Sequence, residues 1–376
     1  METEAIGRSK YRNSEQKEGH RDRRGRFNFV SIDCGANSSF VDTDTKLTYL
    51  PDDKFIDTGV NYEIAFNTPV NGLSKQFLTV RSFPNGTRNC YTFRSLSAGS
   101  KYLVRASFMY GNYDNLNMPP IFDIHLGVNY WLTVNTSIEF DDLFTEIITV
   151  ADSDYLQVCL INKDLGNPFI SALELRPLKK SIYQEANSAQ SLVTGIRWNL
   201  GGSNDLRYPD DPYDRIWKNF TFGTSTDIST TSAVQPDSYS ATPSLVMQTA
   251  STSSSTERTL SFSWSYDNQS SVCLVILHIF EIQDIPRTDF REFDILQDGD
   301  TTSKSSFNPS KLDTEPFVYT DTGDTKYNVS LQATSKSTLP PLLNAIEVYL
   351  IRPTYGIPTN GGDGKCDYSC LILCTL

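Results

Sequence analysis

Apolar and polar residues alternate one by one along much of this chain. In "KYLVRASFMY" (101–110), Tyr102, Val104, Ala106, Phe108 and Tyr110 fall on one face. In "TLSFSWSY" (259–266), Leu260, Phe262, Trp264 and Tyr266 share a face, and serines fill most of the other. "KYNVSLQA" (326–333) repeats the device with Tyr327, Val329 and Leu331. A period of two, carried by aromatic and β-branched residues, predicts half-buried antiparallel strands, because successive side chains leave opposite faces of a pleat. Turn-rich stretches such as "FPNGTRN" (83–89) and "NLGGSND" (199–205) separate them. No long amphipathic helix is written. Many short strands without helical crossovers predict an all-β protein made of sandwiches or barrels.

The pattern occurs twice. "TYLPDDKFIDTG" (48–59) is echoed by "LRYPDDPYDRIW" (206–217), "FDIHLG" from Phe122 by "FDILQDG" from Phe293, and "ISALELRP" (170–177) by "NAIEVYLIRP" (344–353). Pro51 and Pro209 lie closer together than Glu174 and Glu347, so an insertion is expected in the Ser/Thr-rich stretch Thr224–Thr259. The repeat is of domain size, far longer than a solenoid unit. A chain of 376 residues accommodates two such domains, each able to bury its own core. The expected boundaries are a basic, disordered leader (1–26), domain one (27–178), domain two (179–353) and a linker with an irregular tail (354–376).

Charge narrows the function. The formal net charge is −12, yet the leader carries a basic run, "RDRRGR" (21–26), so the body is more acidic still. An acidic body lacks the basic face that nucleic acid requires, and no nucleic-acid partner is expected. Residues 1–26 contain no apolar core of a secretory signal peptide. The longest apolar run, "VCLVILHIF" (272–280), is strand length, so no membrane span is expected in the chain as written.

The means for catalysis are sparse. Three histidines occur: His20 in the leader, and His125 and His278 in predicted strands at what look like corresponding parts of the repeat. They are read as structural. No nucleophile elbow, zincin helix or phosphate loop is present. The acid pairs Asp52–Asp53, Asp141–Asp142 and Asp210–Asp211 could serve a glycosidase. The pairs in Pro-Asp-Asp turns, Asp52–Asp53 and Asp210–Asp211, are read instead as solvated or backbone-capping groups, and no enzyme activity is expected. "DTDT" (42–45) and "DSD" (152–154) lack the remaining ligands of a calcium loop. Seven cysteines form no CxxC pair, and the three in "CDYSCLILC" lie in the tail, so no metal or cofactor is expected. Cys34 and Cys90 are the expected disulfide, both lying near turns of the first repeat. Six N-x-S/T sequons offer glycosylation at Asn37, Asn85, Asn135, Asn219, Asn268 and Asn328.

Aromatic residues near strand ends are the better candidates for binding. "MYGNYDN" (109–115) and "NYWL" (129–132) supply Tyr110, Tyr113, Tyr130 and Trp131. Rings of this kind stack on sugar faces while Asp, Asn and Tyr orient hydroxyls, and loops at a sandwich end are where such a site forms. The competing reading is that the same rings fill the core.

With those residues assembled, the chain resembles the malectin-like region of plant receptor kinases that carry leucine-rich repeats. The segments that carry the resemblance are "FVSIDCGA" (29–36), "TYLPDDKFIDTG" (48–59), "VRSFPNGTRNCYTF" (80–93), "KYLVRASFMYGNYDNLN" (101–117), "FDIHLGVNYW" (122–131), "FISALELRPL" (169–178), "RWNLGG" (197–202), "RYPDDPYDRIW" (207–217) and "NAIEVYLI" (344–351). The resemblance implies two tandem malectin-type β-sandwiches of the carbohydrate-binding-module kind, exported, glycosylated and facing the cell wall. It implies a cell-wall glycan or a secreted peptide as ligand, and leaves room for a co-receptor. Tyr110 and Tyr113 match the region where animal malectin grips a disaccharide. The chain departs from the family in lacking repeats, span and kinase, and is read as a shortened member or a fragment of a longer product. The alternative reading is a truncated ectodomain acting as a decoy or co-receptor through protein contacts.

Overall fold

A computed structural model describes residues 29–65, 72–136, 144–223, 225–254, 256–265, 272–298, 300–301, 304–311, 313–322 and 326–355. The leader, the tail beyond Tyr355, Asp141, Asp142, Tyr266, Asn268, Cys366, Cys370 and Cys374 lie outside them.

Strands dominate, and the one α-helix among the described residues, Ser244–Met247, is a single turn. The largest sheet runs, edge to edge, through β2 (Phe40–Val41), β3 (Thr48–Pro51), β1 (Val30–Asp33), β13 (Ala172–Leu178), β7 (Lys101–Ser107) and β10 (Phe144–Val150). It continues through β14 (Gln190–Leu200), β25 (Ala345–Pro353), β19 (Val272–His278) and β22 (Phe317–Thr322), with β15 (Lys218–Phe220) beside β14. A second sheet holds β6 (Arg88–Arg94), β11 (Tyr155–Leu165), β8 (Ile121–Leu126) and β9 (Asn129–Asn135). Its counterpart later in the chain holds β18 (Thr259–Ser265), β23 (Lys326–Ala333), β20 (Phe293–Gln297) and β21 (Asp300–Thr301). Two small sheets complete the fold. They are β12 (Phe169–Ile170), β5 (Thr79–Ser82) and β4 (Val60–Glu63), and then β16 (Ser225–Ser229), β17 (Thr249–Ser253) and β24 (Leu342–Leu343).

The halves follow one plan. The order β3-β1-β13-β7-β10 of the first half recurs as β15-β14-β25-β19-β22 in the second, including a parallel β1–β3 pair matched by a parallel β14–β15 pair. Gly35 and Gly201 mark the same point in each. Both have positive φ, and a Cβ on either would meet a carbonyl oxygen, that of Val80 or Ala250, at 2.5 Å. Only glycine fits so close an approach. Each half is thus a β-sandwich, and duplication stands.

Two details of the expected repeat do not. Pro51 pairs with Asp33, which lies opposite Ala172, whereas the matching partner of Asn199, opposite Ala345, is Asn219. Pro209 therefore precedes the equivalent strand, and the two Pro-Asp-Asp stretches are not equivalent. Nor is Thr224–Thr259 an insertion, because it supplies β16 and β17, the counterparts of β4 and β5. The histidines are also mismatched, since His125 lies on β8 of the second sheet and His278 on β19 of the largest.

The alternating segments pack as the pattern requires in β18 and β23, where Leu260, Phe262, Trp264, Tyr327, Val329 and Leu331 are buried. β7 differs: every residue in it is buried. Tyr102, Val104 and Ala106 enter the sandwich core, while Leu103 and Arg105 are covered from behind by segments that begin after β13. Such two-sided burial belongs to the central strand of a large covered sheet.

The cysteine pairing is also corrected. The disulfide is Cys90–Cys159, and Cys34 is a free, fully buried thiol. Register decides this, because Cys90 and Cys159 are directly opposed on β6 and β11 with Cα atoms 4.0 Å apart. Cys34 instead follows β1 into the core, where burial pushes its thiol up.

Candidate recognition site

Beyond the end of β7 the chain makes a tight excursion, residues 108–120, at one end of the first sandwich. Asn112, Asn115 and Asn117 all adopt the left-handed conformation, which asparagine tolerates better than most residues. Gly111 shares it, and a Cβ there would meet Ile64 at 2.6 Å. Tyr110 is the post on which the loop is hung. Its hydroxyl donates to Asp114 Oδ1 at 2.5 Å and accepts from the Met118 amide at 3.3 Å. Asp114 also accepts from the Leu116 amide at 3.1 Å, and Asn112 Oδ1 accepts from the Asn117 amide at 2.9 Å. Burial and the Asp114 hydrogen bond push the Tyr110 phenol up to about 12.

Below the loop the rings interlock. Tyr113 lies 5.5 Å from Tyr110, 5.3 Å from Tyr62 and 5.4 Å from Phe169, centroid to centroid. Its hydroxyl bonds Ser82 Oγ at 2.9 Å. This base holds Leu116 and Met118 outward, 63% and 72% exposed, with Tyr62 and Val60 also exposed on neighbouring β4. Apolar side chains held in solvent on an ordered loop are informative in a way that scattered surface leucines are not.

The four candidate aromatics do not converge. Tyr110 is half-buried and Tyr113 buried beneath it. Tyr130 and Trp131 are consecutive on β9, at a register shift where Tyr130 opposes His125 and Leu132 opposes Ile124, and only Tyr130 reaches the surface. Trp131 is fully buried in the core and offers no stacking face. Tyr130 is exposed, but its ring carries the Arg352 guanidinium at 5.5 Å and meets His125 edge-on at 5.7 Å. Among the described residues no contact joins it to the Tyr110 group. Leu116 and Met118 were the residues the sequence did not disclose; their only signal was two apolar side chains inside an Asn-rich turn.

The acids and bases gather elsewhere, behind the largest sheet. Five guanidiniums, from Arg105, Arg176, Arg197, Arg207 and Arg215, face five carboxylates, from Glu146, Glu174, Asp211, Asp214 and Glu347. All ten are buried except Arg207. Equal numbers of opposite charge make such burial tolerable, since an unpaired ion in the interior is far costlier. Asp214 receives Arg176 Nε at 2.7 Å and Arg207 Nη2 at 2.8 Å, and Arg105 donates to both Glu146 and Glu174 at 2.7 Å. Arg197 donates to Glu146 across the halves and to the Tyr349 hydroxyl at 2.9 Å. Burial pushes the Glu174 carboxyl up, but Arg105, Arg176 and Arg207 outweigh it and hold it at about 2. Burial acts likewise on Glu347, where His278, Arg197 and Arg215 prevail and hold it well below the usual range.

Buried pairing, in this network and outside it, explains the Pro-Asp-Asp stretches. Asp211 is buried, accepting from Arg215 Nε at 2.7 Å and Trp217 Nε1 at 2.8 Å. Asp52 is buried in a bidentate pair with Arg81, both contacts 2.6 Å, and accepts from the Tyr91 hydroxyl at 2.9 Å. Only Asp53 and Asp210 are solvated as expected. His278 Nε2 faces Glu347 at 3.1 Å, a satisfied structural histidine. Asp42 Oδ1 accepts from the Thr45 amide and hydroxyl at 2.7 and 2.6 Å, which makes "DTDT" a turn cap. Among the described residues no group of His, Cys, Asp and Glu could hold a metal, and no helix is long and apolar enough to cross a membrane.

Comparison with known proteins places this geometry. The family model for the malectin-like domain matches residues 32–351. A leucine-rich repeat receptor-like protein kinase of Arabidopsis thaliana is 38% identical over 349 residues, covering 89% of this chain and 39% of its own length. Another receptor-like protein kinase of that plant is 38% identical over 345 residues, covering 89% and 38%. The chain thus spans about two fifths of the length of these relatives. Among solved structures, the ANX2 ectodomain from Arabidopsis thaliana superposes with a TM-score of 0.71 at 19% identity, covering 89% of this chain and all of that one. The plant receptor-like kinase FER gives a TM-score of 0.70 at 19% identity, covering 90% and 97%. FER has also been solved in complex with the plant peptide RALF23 and LLG2.

Proposed function

The chain belongs to the malectin-like domain family, and from that premise we propose that it is a non-catalytic, extracellular recognition module, with domains at 27–178 and 179–353, that binds a secreted peptide. The observation that carries this reading is the loop at residues 111–118, which holds Leu116 and Met118 in solvent above a rigid aromatic base. Apolar anchors on a pre-formed surface suit a peptide, because no ordering cost is left for the receptor to meet. The neighbouring FER structure, with its bound peptide and LLG2, supports the same ligand class and a co-receptor beside it.

A cell-wall glycan is the second reading. It draws support from Tyr110 alone, since Tyr113 and Trp131 are buried and the Tyr110 hydroxyl is committed to Asp114 and Met118. Catalysis has no support: Glu174, Asp214 and Glu347 are buried away from substrate, and neighbouring arginines hold their carboxyls below the usual range.

The test compares binding of synthetic RALF23, with and without LLG2, against a panel of cell-wall oligosaccharides. Leu116→Asp with Met118→Asp abolishes peptide binding while the melting temperature holds. Saturable oligosaccharide binding that is lost on Tyr110→Ala, yet survives the double substitution, would replace the peptide reading by the glycan one.

A further inference from the structure

We propose that the secreted peptide binds as an added β-strand on the open edge of β4; this rests on the peptide reading above and specifies how the peptide is held. β4 ends the small sheet β12-β5-β4, and all four of its residues are exposed. The bonds around it fix where its backbone groups point. The Phe83 amide donates to the Pro168 carbonyl on the β12 side of β5. Backbone groups alternate sides along a strand, so those of Ser82 and Val80 turn the other way, towards β4. Their partners Val60 and Tyr62 therefore direct N–H and C=O at β5, and the bond from the Ile64 amide to the Leu78 carbonyl continues that ladder. Asn61, Glu63 and Ala65, lying between, point theirs outward.

One outward group is engaged. The Ala65 amide donates to the carbonyl of Gly111, where the 111–118 loop begins, at 2.8 Å. The loop thus starts a further strand on this edge and leaves it after a single bond. Among the described residues β4 pairs with β5 alone, so the outward groups of Asn61 and Glu63 stand ready for another strand. The other half closes the matching edge. Its strand β16 reads Ser-Thr-Asp-Ile-Ser, its one apolar residue Ile228 is half-buried, and Asp227 is tied to Ser251 Oγ at 2.8 Å.

The side chains of β4 define what the added strand carries. Val60 and Tyr62 share one face, and the Tyr62 ring lies 5.3 Å from Tyr113, so this face runs into the base beneath Leu116 and Met118. Peptide residues opposite Val60 and Tyr62 fall on the same face and are apolar, two positions apart. The residue opposite Glu63 falls on the other face. Glu63 is exposed and has no ion partner among the described residues, in a chain of formal net charge −12, so that residue is lysine or arginine. Main-chain bonds to Asn61 and Glu63 supply the hold, and the alternate side chains supply the selection.

Asn61→Pro removes one outward N–H and sets a ring on the edge, leaving the β5 ladder intact. Binding of synthetic RALF23, with LLG2 present, should weaken at least tenfold while the melting temperature holds. In the unaltered protein, amide hydrogen exchange at Asn61 and Glu63 should slow at least tenfold on adding RALF23, which decides the question should the proline variant fail to fold. Glu63→Gln should weaken binding severalfold at low salt and leave it unchanged at high salt; no effect at low salt overturns the basic residue. Binding that survives Asn61→Pro without protection at Asn61 and Glu63, yet is lost in Leu116→Asp with Met118→Asp, overturns the added strand and leaves the peptide reading standing. No binding of RALF23 to the unaltered protein removes both.

Discussion

Ser261 donates a hydrogen bond to Ser330 across β18 and β23, 2.9 Å apart, at the cross-strand pair that the first half closes with the Cys90–Cys159 disulfide. Register fixes the equivalence: Leu331 opposes Leu260 and Ile295, as Leu160 opposes Asn89 and Ile124. One half has a covalent clasp where the other has a hydroxyl pair.

Replacing both serines by cysteine should therefore yield a second disulfide without disturbing the strands. Cys90 and Cys159 are 69 residues apart, as are Ser261 and Ser330, and a loop of that length contributes up to about 4 kcal/mol in the chain-entropy account. Thiol titration reads its formation, and thermal melts with and without reductant read its effect. A variant that keeps both thiols free under oxidation would show that the two pairs are not equivalent.

Asp214, in the second half, pairs with Arg105 and Arg176 of the first. Asp214→Ala leaves Arg176 and Arg105 buried with fewer carboxylates, and removing one partner of a buried pair costs about 3–5 kcal/mol. Denaturant unfolding should show a loss of that size. A change below about 1 kcal/mol would mean that water or a neighbouring carboxylate takes over.

Asp33 predicts a pH dependence. Burial and nearby Asp52 raise its carboxyl to about 7, against the opposing effects of the Thr79 hydrogen bond and Lys75. An unfolded aspartate titrates at about 3.9, so between there and about 7 the folded protein holds a proton that the unfolded chain has released. Stability should fall as pH rises through that window and flatten above it. Denaturation midpoints at several pH values, for the protein and for Asp33→Asn, test this; an unchanged slope in the variant would assign the dependence to another group.

The loop that carries the proposed peptide site should loosen without its post. Tyr110→Phe keeps the ring contacts but removes the bonds to Asp114 and the Met118 amide, a loss of about 1 kcal/mol each. Hydrogen exchange should quicken at residues 112–118 and leave β7 untouched. Exchange that stays unaltered in the loop would show that the asparagine turns hold it unaided.

The sandwich was legible because strands announce themselves by alternation, as Leu260, Phe262 and Trp264 do. Register is not written that way. The Cys34–Cys90 expectation failed because both residues border turns, yet only register places Cys90 opposite Cys159. The echo of Pro-Asp-Asp suggested one role twice over, but Asp52 serves Arg81 in one core and Asp211 serves Arg215 behind a sheet. Aromatic content marked Tyr110 and Trp131 equally. A register shift in β9, where Tyr130 opposes His125 but Leu132 opposes Ile124, leaves Trp131 as the extra residue and turns it inward, and a bulge of that kind is not written in the alternation of the sequence.

The pairing of β10 with β14, through Ile147–Val193 and Ile148–Leu192, joins the halves into one sheet. At the far end of the second half, the Tyr355 amide donates to Asn129 Oδ1 at 2.8 Å, and Arg352 lies over Tyr130. Tension applied at the carboxyl end of β25 would load the Tyr355–Asn129 contact first, then the Thr354 amide's bond to the Ala189 carbonyl, before the β25 ladders. β25 itself is clamped between β14 and β19 along most of its length, so further load would shear two ladders at once. Because Asn129 and Tyr130 belong to the first half, that half would feel a pull on the second almost as soon as it began.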